Sequence, residues 1–149
     1  MMFALVTRVM WFDSALEHQI MQNLHQGSLA EIKAIEWFTR RNYFIYKSFY
    51  GYEPVDFIVE KDKKLSKVSV KSTTQRTPYN TGWICGIKSV RANKFSNNIV
   101  NFDSTDIDYL CVHLVALDKL IVYNAKLLTV KTAITVLDKD INALEAFNG

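Results

Sequence analysis

The sequence predicts an α/β chain of the α+β kind, with a central mixed β-sheet flanked by helices and a strand-rich insertion. Three observations lead there. Apolar residues recur at helical spacing from Leu29 to Phe38. Three alternating runs follow at close intervals, each bounded by turn formers. A second pair of strand-like runs and a closing helical pattern occupy the last forty residues. At 149 residues the chain is large enough to bury one core without disulfides, and 49% of it is apolar.

The elements are predicted as follows. Residues 1 to 26 lack a sustained apolar period and read as an N-terminal extension outside the core, with Met21 standing just before the first strong element. Ser28-Leu29-Ala30-Glu31 reads as a capping box, with Ser28 as N-cap and Glu31 at the third helical position. Leu29, Ile32, Ile35 and Phe38 form the expected buried stripe, and Asn42 the stop. Tyr43–Phe49, Val55–Glu60 and Leu65–Ser72 are three strands, the last two joined by a turn over Lys61-Asp62-Lys63-Lys64. Residues 73 to 107 are an insertion with a strand from Trp83 to Val90 and a return near Ile99 to Phe102. Tyr109–Ala116 and Leu120–Tyr123 are further strands, Asn124–Leu128 a short helical turn, and Asp138 the cap of a closing helix. The core domain is thus 27–149, with no interdomain linker.

Charge is unevenly distributed behind a formal net of +3. From Lys63 to Phe102 there are eight basic residues and no acid, leaving the remainder with a net of −5. An acid-free run of this length fits a surface that faces a polyanion. Cys85 and Cys111 have no metal-ligand or redox spacing and sit in apolar runs, so they read as buried free thiols. No apolar run reaches the roughly 20 residues that cross a bilayer. The opening residues lack the basic start of a signal peptide, so a cytoplasmic location and no membrane contact are expected.

The chemistry concentrates on the second and third strands. Side chains alternate faces along a strand, which groups Val55, Phe57 and Val59 on one side and Asp56 and Ile58 on the other. On the third strand Val68 and Val70 match the apolar face, leaving Ser69 and Lys71 opposite. With the turn centred near residue 63, Asp56 lies across from residues 69 to 71. A folding core has no reason to aim an acid and a lysine together, whereas phosphodiester cleavage has one. Carboxylate oxygens hold a hard divalent cation, expected to be Mg²⁺, and a lysine beside it positions water and offsets charge on the phosphate. Glu31 has two competing explanations, the capping box and an additional metal contact. Ser69 stands two before the lysine, where a second carboxylate would complete the site. The expected metal set is therefore lean: Asp56, the Val70 carbonyl and Glu31.

Ser28-Leu29-Ala30-Glu31, Pro54-Val55-Asp56 and Val68-Ser69-Val70-Lys71-Ser72, taken in that order, resemble the PD-(D/E)XK nuclease superfamily. The strand from Asp108 to His113 and that from Leu120 to Tyr123 fit its junction-resolvase-like branch. The chain also resembles homing endonucleases encoded by bacterial group I introns, over roughly residues 27 to 130. Two departures stand out: Val55 separates Pro54 from Asp56, and Ser69 replaces an acid. The resemblance implies a restriction-endonuclease-like core, Asp56, Lys71, Glu31 and Ser69 as catalytic positions, and double-stranded DNA as substrate. Two cuts need two sites, implying a homo-oligomer, either dimer or tetramer. Lys88, Arg91 and Lys94 then serve phosphates, and Gln75, Arg76, Asn80, Asn93, Asn97 and Asn98 complete the expected DNA contacts. The alternatives are a junction-resolving or repair nuclease of the same fold, and a DNA-binding module that has lost catalysis.

Overall fold

The computed structural model describes residues 14–47, 49, 54–92 and 97–148. Helix α1 spans Ser14–Thr39. Strands β1 (Phe44–Lys47), β2 (Phe57–Lys61) and β3 (Lys64–Thr73) follow, then β4 (Gly82–Gly86), β5 (Ser89–Ala92) and β6 (Asn97–Val100). After them come β7 (Tyr109–Leu114), β8 (Lys119–Asn124), β9 (Ala133–Leu137) and helix α2 (Ile141–Asn148). The central sheet has the order β1-β2-β3-β7-β8. It is mixed, because β3 and β7 run parallel while their neighbours pair antiparallel. Two small sheets accompany it, β4 with β9 and β5 with β6.

The β2–β3 turn is tight because Asp62 and Lys63 both adopt positive φ, the backbone that matches the twist of a two-residue hairpin. It sets Phe57 opposite Val68 and Glu60 opposite Leu65. Each face of the central sheet then has its own core. On one, α1 packs Ala34 and Phe38 against Phe57, Val59, Val68, Cys111 and Val122. Small residues on the helix allow close approach, and Phe38 supplies the bulk. Its ring meets Tyr43 at 5.1 Å, Tyr109 at 5.4 Å and Phe57 at 6.0 Å between centroids, all edge-on. On the other face, β4, β9 and α2 bury Trp83, Cys85, Ile134, Val136 and Ile141 against Leu110, Val112, Leu114 and Ile121. Gly82 is required in that layer, since a Cβ there would collide with the Val136 carbonyl. Cys85 and Cys111 are buried free thiols.

Several expectations need correction. No helix begins at Ser28: α1 starts fourteen residues earlier and runs straight through the Ser28–Glu31 segment. Residues 16 to 26 are mostly good helix formers, and exposed pairs four apart support them, Gln19 with Asn23 and His18 with Gln22, both at 3.1 Å. A capping box is a local option that a longer helix overrides. The buried stripe is Ala30, Ala34 and Phe38, whereas Leu29 and Ile32 are 41% and 59% exposed. Asn42 does end the turn after α1, at φ 63°. Val55 packs with the second core and not with Phe57, because alternation has not yet begun before β2. The strand foreseen from Trp83 to Val90 is two strands in different sheets, and β9 lay unrecognised in a run rich in turn-neutral residues. Asp138 caps nothing with its side chain; it accepts from Arg76 instead.

Position along α1 is fixed by more than apolar packing. His113, fully buried on β7, shares a 3.0 Å hydrogen bond through Nε2 with Asp118 Oδ1, and Lys33 on α1 donates to Asp118 Oδ2 at 2.8 Å. Asp118 sits in the left-handed turn between β7 and β8, at φ 50°. Among the described residues nothing bonds His113 Nδ1, so this ring depends on Asp118 alone.

Two stability outcomes follow. Phe38→Ala should cost about 3–5 kcal/mol in urea denaturation, from the cavity left between helix and sheet. Asp118→Ala strips the buried imidazole of its partner and should cost about 1–3 kcal/mol. Asp118→Asn keeps an acceptor and tolerates the left-handed backbone, so it should lose much less in the same measurement.

Candidate active site

The β2–β3 ladder ends at Asp56. Its backbone N–H still donates to the Val68 carbonyl at 2.9 Å. Two residues further along β3, the side chain takes over from the backbone: Val70 N–H donates to Asp56 Oδ2 at 2.6 Å. Ser69 Oγ lies 3.4 Å from the same oxygen. The sheet thus closes its last rung with a carboxylate and pins that carboxylate in the plane between the two cores.

Charges converge on it from both sides. Burial pushes the Asp56 carboxyl above its ordinary value, and the Val70 N–H pulls it back. The Glu31 carboxylate raises it further, while the Lys71 ammonium and the Ser69 hydroxyl lower it. Glu31 acts on Asp56 from α1 and Lys71 from β3, so the second acid and the lysine both lie within electrostatic reach of it. The geometry expected for Asp56 against residues 69 to 71 is the one found. Ser69 is buried and Lys71 half-buried. Burial pushes the Cys85 thiol up to about 11 against the lowering pull of the Lys71 charge.

Glu31 is not spent on a cap. Its Oε2 accepts from Lys47 Nζ at 2.7 Å, where Lys47 ends β1 directly across from Phe57. Lys47 went unremarked in the sequence because its closeness to Glu31 arises only once β1 is docked beside β2. Among the described residues no three His, Cys, Asp or Glu side chains converge on one point. Carboxylate supply here amounts to Asp56 with Glu31 nearby, as the serine at position 69 implies. Val70 contributes its N–H to Asp56.

Beside Ser69 and Lys71 opens a cavity that also touches Pro54, Ser89, Asn101, Asp103 and Asp106. The two aspartates belong to the loop before β7, and no sequence spacing marks them. Asp103 Oδ1 holds the Thr105 N–H and hydroxyl at 2.8 and 2.7 Å.

The residues expected to contact a polyanion separate into groups. Arg76 is engaged within the fold: it donates to both Asp138 oxygens at 2.8 and 2.6 Å and to the Asn80 side chain and carbonyl at 2.7 and 2.6 Å. Its guanidinium also lies 4.6 Å from the Trp83 ring centroid. Asn80 occupies a turn at φ 55° and serves that arginine. Both have complete structural explanations. Gln75 keeps an exposed side chain, and Lys88 and Asn98 are exposed. Arg91 lies opposite Asn98 and Asn97 opposite Ala92 in the β5–β6 pairing. Asn93 and Lys94 lie outside the described residues. The ribbon beside the site is therefore β5 with β6 and excludes Trp83, which is core.

No curated protein matches the sequence. Among solved structures the chain is similar to a bacterial homing endonuclease, I-Ssp6803I, with a TM-score of 0.65 at 17% identity, over 77% of this chain and 78% of that one. At that identity the likeness speaks for the fold, a mixed sheet with a helix on the acidic strand pair. The family model described as PD-(D/E)XK endonuclease matches residues 21–148. Because that match takes in both candidate acids, Ser69 and Lys71, together with every strand of the central sheet, the chain belongs to the PD-(D/E)XK endonuclease family.

Proposed function

We infer that the protein is a site-specific endonuclease that hydrolyses both strands of duplex DNA with a divalent cation, in the manner of an intron-encoded homing enzyme. The observation that carries this reading is the Asp56 carboxylate fixed by Val70 N–H beside Ser69, with Glu31 and Lys71 within electrostatic reach of it. The structural likeness to a homing endonuclease supports it.

The donor set fits a hard cation. Asp56 and Glu31 offer carboxylate oxygens, and the Val70 carbonyl and Ser69 hydroxyl are neutral supplements beside them. Mg²⁺ is the cation expected. When bound, it would polarise the scissile phosphate and acidify a water. The protein's own residues do the rest. Asp56, fixed by Val70 N–H, orients the cation side of the site without having to reorganise. Lys71 places a positive charge where the phosphate gains negative charge, and its half-buried position strengthens that interaction. The cavity next to Lys71, about 20 Å³, has room for a water beside the lysine. Lys88, Arg91 and the remaining amides of the β5–β6 hairpin supply phosphate and base contacts beside it. Double-strand cutting calls for a second copy, and exposed Leu16, Leu24, Leu29 and Ile32 on α1 offer apolar surface to one.

The test is cleavage of a random-sequence duplex library, compared with a four-way junction, with Mg²⁺ added or chelated. Cutting of a discrete duplex sequence is the expected result; preference for the junction would favour a shape-reading nuclease. Lys71→Ala should lower cleavage by roughly 100- to 1,000-fold with DNA binding retained. Undiminished metal-dependent cutting by Lys71→Ala and Asp56→Asn would remove the catalytic assignment.

Asp56 also makes two pH-dependent outcomes specific. Cation binding needs its ionised form, so affinity for the cation should rise with pH through a midpoint above 3.8. Glu31→Gln removes a like charge and should move that midpoint down. For stability the sign is opposite. A carboxyl raised on folding binds more protons in the native state, so its contribution is fully present below the unfolded value and lost as pH rises through the folded one. Without cation, Asp56→Asn should therefore melt higher than the parent at neutral pH while failing to cleave. An equal or lower melting temperature would show that burial does not strain this carboxylate.

A further inference from the structure

We propose that Lys47 is a built-in stand-in for the cation, holding Glu31 in the unloaded site and giving it up when the divalent ion binds. This rests on the endonuclease reading above. Glu31 and Asp56 are like charges close enough for one to disfavour ionisation of the other, and burial adds to the difficulty. A positive group is needed nearby whenever the cation is away. Lys71 approaches from the β3 side and acts on Asp56. Lys47 supplies the matching charge at Glu31, with its Nζ 2.7 Å from Oε2. Its strand places it there, because Lys47 pairs with Phe57, the residue next to Asp56. Ser69 makes the arrangement consequential: with one acid missing, Glu31 is the second carboxylate of the site, and Lys47 occupies an oxygen of it.

The exchange is inexpensive. Lys47 and Glu31 keep side-chain exposures of 56% and 32%, so their bond competes with water and is weak. A dication attracts two carboxylates more strongly than one ammonium attracts one. The ordinary alternative is a surface ion pair that ties the edge strand β1 to α1. The two differ in what they predict for cation affinity. A simple tie affects folding stability and leaves affinity alone, whereas a stand-in competes with the cation.

Mn²⁺ titration of the full chain without DNA, followed by calorimetry, separates them. Lys47→Met should bind Mn²⁺ roughly two- to fivefold tighter, the range set by a weak exposed pair. Lys47→Arg, which keeps the charge, should bind like the parent. In a Glu31→Gln background the Lys47→Met gain should vanish, since the coupling runs through Glu31. Unchanged or weaker Mn²⁺ binding by Lys47→Met, or a gain that survives Glu31→Gln, would overturn the proposal. Thermal melts of the same variants identify any that misfold, and Lys47→Arg then carries the comparison with the parent. Loss of the stand-in effect with Asp56-dependent Mn²⁺ binding intact defeats this inference alone. Mn²⁺ binding that ignores Asp56→Asn defeats the endonuclease reading itself.

Discussion

The site depends on one hydrogen bond, from Val70 N–H to Asp56 Oδ2 at 2.6 Å. A sheet rung normally ends on a backbone carbonyl; here it ends on a carboxylate, which is thereby oriented without any flexible side chain intervening. The same bond explains why Asp56 tolerates burial. An unpaired carboxylate in a half-buried position would cost more free energy than a small domain can spare, and hydrogen bonding to the charged form offsets part of that. The offset is incomplete, since the carboxyl remains raised. That residual strain is what a cation would relieve, so stability and cation binding draw on the same atoms.

Everything else brings charges to this carboxylate. Phe38 and the alanines seat α1 on the sheet, and the His113–Asp118–Lys33 chain fixes its position along the sheet. Glu31 lies two residues from Lys33, on the same stretch of helix. The β2–β3 hairpin sets Lys71 beyond Ser69 with no freedom of register, because a slip by one residue would turn Val68 out of its core. Packing far from the site therefore sets geometry within it. The surface patterns are less coupled: Arg76, although basic and in the acid-free segment, is consumed by Asp138, Asn80 and Trp83.

The strand pair was legible because its signals are local. Lys61–Lys64 is a polar break between two alternating apolar runs, which marks a turn, and the spacing of Asp56 and Lys71 around it fixes their proximity. The α1 start was not legible. A capping box and a continuous helix use the same residues, and only the helix-forming run before Gly27 decides between them. Strand β9 was hidden for another reason: Ala133–Leu137 is short, and its partner β4 lies nearly fifty residues earlier. Lys47 and the cavity-lining Asp103 and Asp106 share that difficulty. Their relation to the site exists only through tertiary contacts, which leave no periodicity in sequence.

Ser69 ties these points together. With an acid at that position, three carboxylates would crowd the end of β3, and burial would force at least one to keep its proton. A serine avoids that repulsion and donates a hydrogen bond toward Asp56, at 3.4 Å. The cost is one negative charge for the cation, which makes Glu31 matter more than it would in a fuller site. Glu31 in turn is held by a lysine from the neighbouring edge strand and not by solvent alone. The balance of these four side chains is thus two acids against two lysines, Lys47 bonded to Glu31 and Lys71 acting on Asp56. A site neutral in the absence of a cation can be buried in part and still fold. Such a site gains net positive charge only when the cation enters, which is also when a phosphate backbone is attracted to it most strongly.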